Sequence, residues 1–307
     1  MNNNVICVLG PTGTGKTDLA CFLASKFKSE IVSVDSVLVY KGLDIGSAKP
    51  SHETLDKFPH HLVDISEPSE NYSVGDFYIN IKQKLKDIIA RGNMPILVGG
   101  TAMYFHILQN GMHNLPISSP KTRSDLLEKL GIGDSCEALY SHLTHVDPAT
   151  AITIKPTDKQ RITRALDIYY QSGVSMVKLI SSTHDKLNYN WCNFILLPPR
   201  DELKVRLKNR LDIMLENGFL AEVEDLRKNS KLSLNNSSIK SVGYKQAWQY
   251  LDGLYSYEEF VNKTYFATCQ LAKRQFTWFN KWQGHKITSF ISESERQYCL
   301  QIALELL

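Results

Sequence analysis

The sequence predicts an α/β fold, a parallel sheet flanked by helices, carrying a helical insertion. Three observations predict it. Short, β-branched apolar runs recur at Val5–Leu9, Ile31–Val34, Ile96–Val98 and Phe194–Leu197, the texture of strands buried on both faces. The glycine-rich stretch Gly10-Pro11-Thr12-Gly13-Thr14-Gly15-Lys16-Thr17 follows the first run directly and precedes a helical pattern. Between about 117 and 187 strand signals fade and short helical patterns take over.

Each element follows in order. Gly10 to Thr17 fits G-x-x-x-x-G-K-[ST], the phosphate loop, which makes the first part a P-loop NTPase-like core. Its glycines let backbone N–H groups turn inward toward a di- or triphosphate. Lys16 supplies a cation and Thr17 a hydroxyl for Mg²⁺. From Asp18 to Lys28, Leu19, Leu23 and Phe27 stand four apart on one helical face. Ser73-Val74-Gly75-Asp76 has the form of a capping box opening a helix to about Ala90, with Phe77, Ile81, Leu85 and Ile88 on its inner face. Arg91-Gly92-Asn93 ends it. The insertion reads as helices over 122–130, 136–143 and 158–171, the last closed by Gly173, with a helix start at Asp147-Pro148. One long helix is expected near 201–229, with Leu203, Leu207, Leu211, Leu215 and Phe219, and a last one near 257–282. The expected domains are therefore 1–116, 117–187 and 188–307, the first and third forming one core.

Composition narrows the class. Hydrophobic content of 43% and charged content of 22% over 307 residues suit a globular protein with a sizeable core. The six cysteines are scattered without a C-x-x-C pair, which argues against a zinc site or disulfide framework and suits a reducing cytoplasm. No apolar stretch approaches a membrane span, and no basic-then-apolar leader precedes Val5, so a cytoplasmic protein is expected. The net charge of +3 announces no partner. Between Lys240 and Lys286, however, seven Lys/Arg face three Asp/Glu, interleaved with Tyr244, Trp248, Tyr265, Phe266, Phe276, Trp278, Phe279 and Trp282. Such cations and aromatic faces suit a looped nucleic acid. The same pattern also describes an amphipathic helix with its aromatics turned to the core.

A phosphate-loop enzyme needs a carboxylate at a neighbouring strand end. Asp35, after Glu30-Ile31-Val32-Ser33-Val34, is the strong candidate, because the third strand ends Val98-Gly99-Gly100-Thr101 without an acid. Asp35 is then either a metal-side carboxylate or a general base facing a second substrate.

The segment from Asp35 to Pro50, Asp-Ser-Val-Leu-Val-Tyr-Lys-Gly-Leu-Asp-Ile-Gly-Ser-Ala-Lys-Pro, resembles the signature of the tRNA dimethylallyltransferases, also called tRNA isopentenylpyrophosphate transferases. Pro59-His60-His61-Leu62-Val63-Asp64, Tyr72-Ser73-Val74, Leu97 to Tyr104, Gln160 to Leu166, Val242-Gly243-Tyr244-Lys245 and Leu271 to Phe279 match that family in order. The resemblance spans Val5 to about Trp282. It implies transfer of a dimethylallyl group from dimethylallyl diphosphate to the exocyclic amine of the adenosine just 3′ of the anticodon, position 37, with release of pyrophosphate and Mg²⁺ as cofactor. It implies Asp35 as general base, Thr101 near the reacting groups and Arg210 facing the diphosphate held by Gly10 to Thr17. A tRNA-binding set follows: Asp35, Ser36, Val37, Leu38 and Thr101 at the reacting base; Arg123, Gln160, Arg161, Ile162, Thr163 and Arg164 from the insertion; and Lys240, Ser241, Val242, Gly243, Tyr244 and Lys245 on the other side.

The chain departs from the family pattern at Leu38, where Gln is common, at Ser47 for Thr, and at Cys269, where Arg is common. Without the cysteines of a C-terminal zinc finger it resembles the bacterial form, expected as a monomer. Three other functions fit the phosphate loop alone: prenylation of a free adenine nucleotide, a small-molecule kinase, and a non-catalytic RNA-binding protein. The first has no use for the insertion or the basic-aromatic segment, and the second would need lid arginines that are not identifiable in this chain.

Overall fold

The structure, a computed structural model, describes residues 3–117, 135–182 and 184–307, together with 125, 128 and 131. The chain divides into two compact units, one of Met1–Gln109 with Asn188–Leu307 and one of Asn110–Leu187. The second begins at Asn110 rather than 117, because strand β5 (Met112–His113) pairs antiparallel with β6 (His184–Asp185) and so draws the entering chain into the insertion.

The first unit is built on a six-stranded sheet from β1 (Asn4–Leu9), β2 (Ser29–Ser33), β3 (His60–His61), β4 (Met94–Gly99), β7 (Asn190–Leu196) and β8 (His285–Ile287). Its order is β3-β2-β4-β1-β7-β8, and every pair is parallel. Val5 to Leu9 of β1 are fully buried, as a central strand covered on both faces requires. The helix Lys16–Ala24 lays Leu19, Ala20 and Leu23 on one face of the sheet with the C-terminal helix Glu293–Leu304, an element the sequence reading did not anticipate. The free cysteines Cys192 and Cys299 lie buried in this layer and Cys7 lies buried on the other face of β1, beside Gln109; burial pushes all three thiols above the usual range, Cys192 to about 11 and Cys299 to about 12.

The helix Val74–Ala90 carries the expected capping box, with Ser73 accepting from the Asp76 amide and Asp76 from the Ser73 amide. The long helix expected over 201–229 is two, Arg200–Glu216 and Phe219–Arg227. Gly218, at φ +95°, adopts a left-handed conformation that breaks the run. Before the C-terminal helix come Tyr244–Leu251 and Tyr257–Phe279. Here the second interpretation of the aromatic pattern holds for part of the set, since Tyr244, Trp248 and Phe279 are buried while Phe266 and Trp278 are exposed.

In the second unit, the helices Cys136–Val146, Pro148–Ala151, Lys159–Ser172 and Met176–Ser182 enclose Leu139, Leu143, Ile154, Ile162, Ala165 and Leu166. Asp147 caps Pro148–Ala151 by accepting from the Thr150 amide, and Asp158 and Gly173 bound the long helix at the two positions expected. The expected helix over 122–130 and the candidate Arg123 lie outside the described residues.

At one margin of the sheet, Glu30 on β2 gathers Arg91 Nε (2.9 Å) and Nη2 (2.7 Å), Asn93 Nδ2 (2.7 Å) and His61 Nε2 (2.7 Å). These donors favour the charged carboxylate, led by Arg91, and hold Glu30 at about 2 against an ordinary 4.5. A depressed carboxylate pKa means stability that is present above pH 4.5 and lost as the pH falls toward 2. Glu30→Gln is expected to cost about 1–2 kcal/mol at neutral pH, a modest figure because Arg91 is partly solvated. Thermal melts should show the gap to the parent protein closing as the pH is lowered from 4.5 to 2.

Candidate active site

The site forms where β1, β2 and β4 end. The register pairs Leu9 with Gly99 and Ser33 with Val98, so the three carboxyl ends lie level. Two glycines permit the backbones to close there. A Cβ on Gly99 would overlap the Val34 carbonyl, and one on Gly10 would sit 2.5 Å from the Leu196 carbonyl oxygen. Without a side chain at 99, Val34 donates to the Val98 carbonyl at 2.7 Å and its own carbonyl accepts from the Thr101 amide at 3.4 Å. Asp35 and Thr101 are brought to one edge by this contact.

The phosphate loop turns through Gly13 (φ +80°) and Gly15 (φ +87°). A Cβ on Gly13 would lie 2.8 Å from Leu207 Cδ2, so the loop rests directly on the helix Arg200–Glu216. Thr14 Oγ1 donates to the Pro11 carbonyl at 2.9 Å, and Lys16 Nζ donates to the same carbonyl at 2.6 Å. Lys16 and Thr17 open the helix Lys16–Ala24, whose N-cap, Gly15, has no side chain to cap the first amides. Those amides and the helix dipole together offer positive potential to an anion. Burial pulls the Lys16 ammonium down to about 7, Asp35 opposing this shift and Arg210 adding to it. Arg210 donates from Nη1 to Thr12 Oγ1 at 2.8 Å, and its pKa is lowered by burial while Asp35 works against that shift.

Asp35 Oδ1 accepts from the Val37 amide at 2.8 Å and the Leu38 amide at 3.4 Å, an Asx turn that orients the carboxyl group. Thr101 Oγ1 accepts from the Ser36 amide at 3.2 Å. Asp35, Thr12 and Arg210 line a cavity of about 110 Å³ with Val37, Leu207, Met214, Phe219, Val242, Gly243 and Gln275. Thr12 of the phosphate loop, the carboxylate and the arginine therefore share one pocket.

Among the tRNA candidates of the first unit, Ser36, Lys240 and Lys245 are exposed, and Val37, Leu38, Ser241 and Val242 are half-buried. Tyr244 is buried and donates to Glu222 Oε1 at 2.6 Å, so it serves the interior and not a nucleic-acid surface. In the insertion, Gln160 and Arg161 are exposed. Ile162 and Thr163 are buried, Thr163 donating to the Lys159 carbonyl, and are corrected to core residues. Arg164 is bound internally, to Asp167 Oδ2 at 3.0 Å and the Pro116 carbonyl at 2.7 Å. Arg161 and Arg164 do not form one solvent-facing pair.

Three residues that brace the site were not singled out from the sequence. Gln275 Oε1 accepts from the Thr12 amide at 2.9 Å while its Nε2 donates to the Gly100 carbonyl at 2.7 Å, stapling the phosphate loop to the end of β4. Arg206, one turn before Arg210, approaches Gly15 of the loop. Glu222 binds the backbone of residues 44–46. A charge on a helix face carries no local pattern that marks it as inward, although the four-residue spacing of Arg206 and Arg210 was available as a signal. Among the described residues no group of three His, Cys, Asp or Glu could hold a metal.

The family model for IPP transferases matches residues 38–282. The chain is 44% identical over 278 residues to the tRNA dimethylallyltransferase of Vesicomyosocius okutanii subsp. Calyptogena okutanii, covering 91% of each chain. It is 42% identical over 285 residues to that of Legionella pneumophila subsp. pneumophila, covering 92% of this chain and 91% of the other. Among solved structures it is similar to the tRNA isopentenylpyrophosphate transferase of Bacillus halodurans, with 30% identity, a TM-score of 0.73 and coverage of 99% of this chain and 96% of that one. A eukaryotic dimethylallyltransferase acting on tRNA superimposes with a TM-score of 0.84 at 27% identity, covering 99% of this chain and 79% of that one. With a phosphate loop, a strand-end aspartate and a buried arginine around one pocket, and with likeness along nearly its whole length, the chain belongs to the IPP transferase family.

Proposed function

We propose that this chain transfers a dimethylallyl group from dimethylallyl diphosphate to the exocyclic amine of the adenosine 3′ of the anticodon in tRNA, releasing pyrophosphate. The observation that carries this reading is the pocket shared by Asp35, Arg210 and Thr12 of the phosphate loop. The diphosphate lies on the amides of Gly13 to Thr17, with Lys16 and Arg210 against its oxygens. Transfer breaks the bond from the allylic carbon to the diphosphate oxygen, and the electron pair leaves with pyrophosphate. The adenine amine forms the new carbon–nitrogen bond and loses its proton to Asp35. An aromatic amine is a weak nucleophile, so a carboxylate held in place by the Val37 and Leu38 amides lowers the barrier. Thr101, which accepts from the Ser36 amide, orients the same edge.

The donor set here suits Mg²⁺: the Thr17 hydroxyl is a hard oxygen ligand beside the place of the diphosphate, and such ions take their remaining ligands from phosphate and water. When bound, Mg²⁺ neutralises charge on the departing pyrophosphate. The acceptor base must leave its stack to reach the pocket. Gln160 and Arg161 on the insertion, and Lys240 and Lys245 on the core, are the exposed groups that serve the anticodon arm. No described helix is long and apolar enough to cross a membrane, and a cytoplasmic monomer is the form we propose.

Incorporation of labelled dimethylallyl, with Mg²⁺, into unmodified tRNA against AMP and ATP tests the reaction; label in the free nucleotides alone overturns it. Asp35→Ala is expected to lower kcat by about 100-fold or more while tRNA affinity survives. Because Lys16 titrates near 7, its neutral form must recapture a proton to bind an anion at higher pH. Calorimetry should show pyrophosphate binding weakening from pH 7 to 9 more steeply in the parent than in Lys16→Met. Arg161→Ala is expected to reduce the salt dependence of tRNA binding by about 0.7–0.9 in log–log slope. Arg164→Ala, with its internal partners, should instead lower the melting temperature.

A further inference from the structure

Glu222 lies on the helix Phe219–Arg227, away from the phosphate loop, yet its carboxylate is among the most heavily committed in the chain. Oε2 accepts from the amides of Asp44 (3.0 Å) and Ile45 (2.6 Å); Oε1 accepts from the amide of Gly46 (3.2 Å) and the hydroxyl of Tyr244 (2.6 Å). Three consecutive backbone amides turned to one carboxylate form an anion nest, occupied here by the protein's own side chain. Beside Glu222, the Gly46 position is closed by aromatic rings: a Cβ there would overlap Phe219 and lie 2.8 Å from Tyr244 Cζ.

The strand of chain so held is the continuation of Asp35. Val39, Tyr40 and Leu43 pack with Phe219, Val223 and Tyr244 in one buried cluster. Gly46, Ser47, Phe219, Val242 and Gly243 line the same cavity as Asp35 and Arg210. Glu222 thus grips the far end of the segment that begins at the reacting carboxylate, and through Tyr244 it grips the Val242–Gly243 wall as well. Its reach into the pocket is entirely through these neighbours.

We infer that Glu222 is a positioning residue for the acceptor side of the pocket, fixing the wall of residues 44–47 and 242–244 against which the adenine base is held for attack. This rests on the prenyl-transfer reading above. A structural filler at 222 would stabilise the fold without distinguishing donor from acceptor. A positioning residue acts on the acceptor and leaves the donor alone, because none of its four donors belongs to the phosphate loop.

The test compares Glu222→Gln and Tyr244→Phe with the parent protein, reading melting temperature, kcat and KM for each substrate. Glutamine keeps one carbonyl oxygen and presents an NH₂ to backbone donors, so at least two of the four lose their acceptor. Expected are a fall of about 10-fold or more in kcat/KM for tRNA and a change of less than about 2-fold in KM for dimethylallyl diphosphate. Tyr244→Phe should give a smaller loss of the same kind, and the double variant should be no worse than Glu222→Gln alone, since both act through one contact. Lower melting temperatures with all kinetic constants unchanged would overturn the inference, as would equal losses for donor and acceptor. Should Glu222→Gln fail to fold, Tyr244→Phe decides by the same split. Transfer to tRNA by the parent protein is measured in the same assay, so failure of the reaction itself is distinguished from failure of the role of Glu222.

Discussion

The site depends on a close approach between two backbones: the Val34 carbonyl passes over Gly99, where no side chain could stand. That approach is what carries β2 and β4 to a common end and sets Asp35 beside Thr101. A second approach, Leu196 against Gly10, fixes the start of the phosphate loop over β7. Parallel sheets collect function at their carboxyl ends because each strand there releases a loop toward the same crevice. In this chain the crevice is narrow because glycine occupies both contact points, and the loops meet at hydrogen-bonding distance instead of merely facing one another.

Over this edge lies a layer of helices that the sheet alone does not dictate. Gln275 reaches from the helix Tyr257–Phe279 to join the Thr12 amide and the Gly100 carbonyl. Arg210 reaches from Arg200–Glu216 to Thr12. Glu222 reaches from Phe219–Arg227 to residues 44–46. Each of the three ends in a polar head inserted among loop amides or hydroxyls. The strand ends present Asp35 and Thr101 and the helical layer holds the loops around them in register, which is the division between site and support that a preorganised pocket needs.

Much of this was legible in the sequence. The phosphate loop, Asp35 at a strand end, the capping box at Ser73 and the helix bounded by Asp158 and Gly173 all rest on local patterns, and local patterns survive without knowledge of the fold. What escaped rests on long-range geometry. Gln275 lies far along the chain from Thr12, and no spacing rule connects them. Gly218 inside a leucine-rich run was read through, because periodicity continues across it although the backbone does not. Tyr244, Ile162 and Thr163 sit in segments that match the family, and the match does not distinguish a residue that touches a ligand from one that supports its neighbour. Burial makes that distinction, and burial belongs to the tertiary structure.

The buried thiols of Cys192 and Cys299 have a practical consequence. A thiol whose pKa lies near 11 or 12 and which is shielded from solvent reacts with an alkylating reagent only when the sheet and its C-terminal helix part. Cys136 and Cys269 are half-buried, and so answer sooner. The molecule thus carries an internal clock. The lag between labelling of the accessible and the hidden cysteines, followed by mass, reports how often the central layer opens and how far substrates hold it shut.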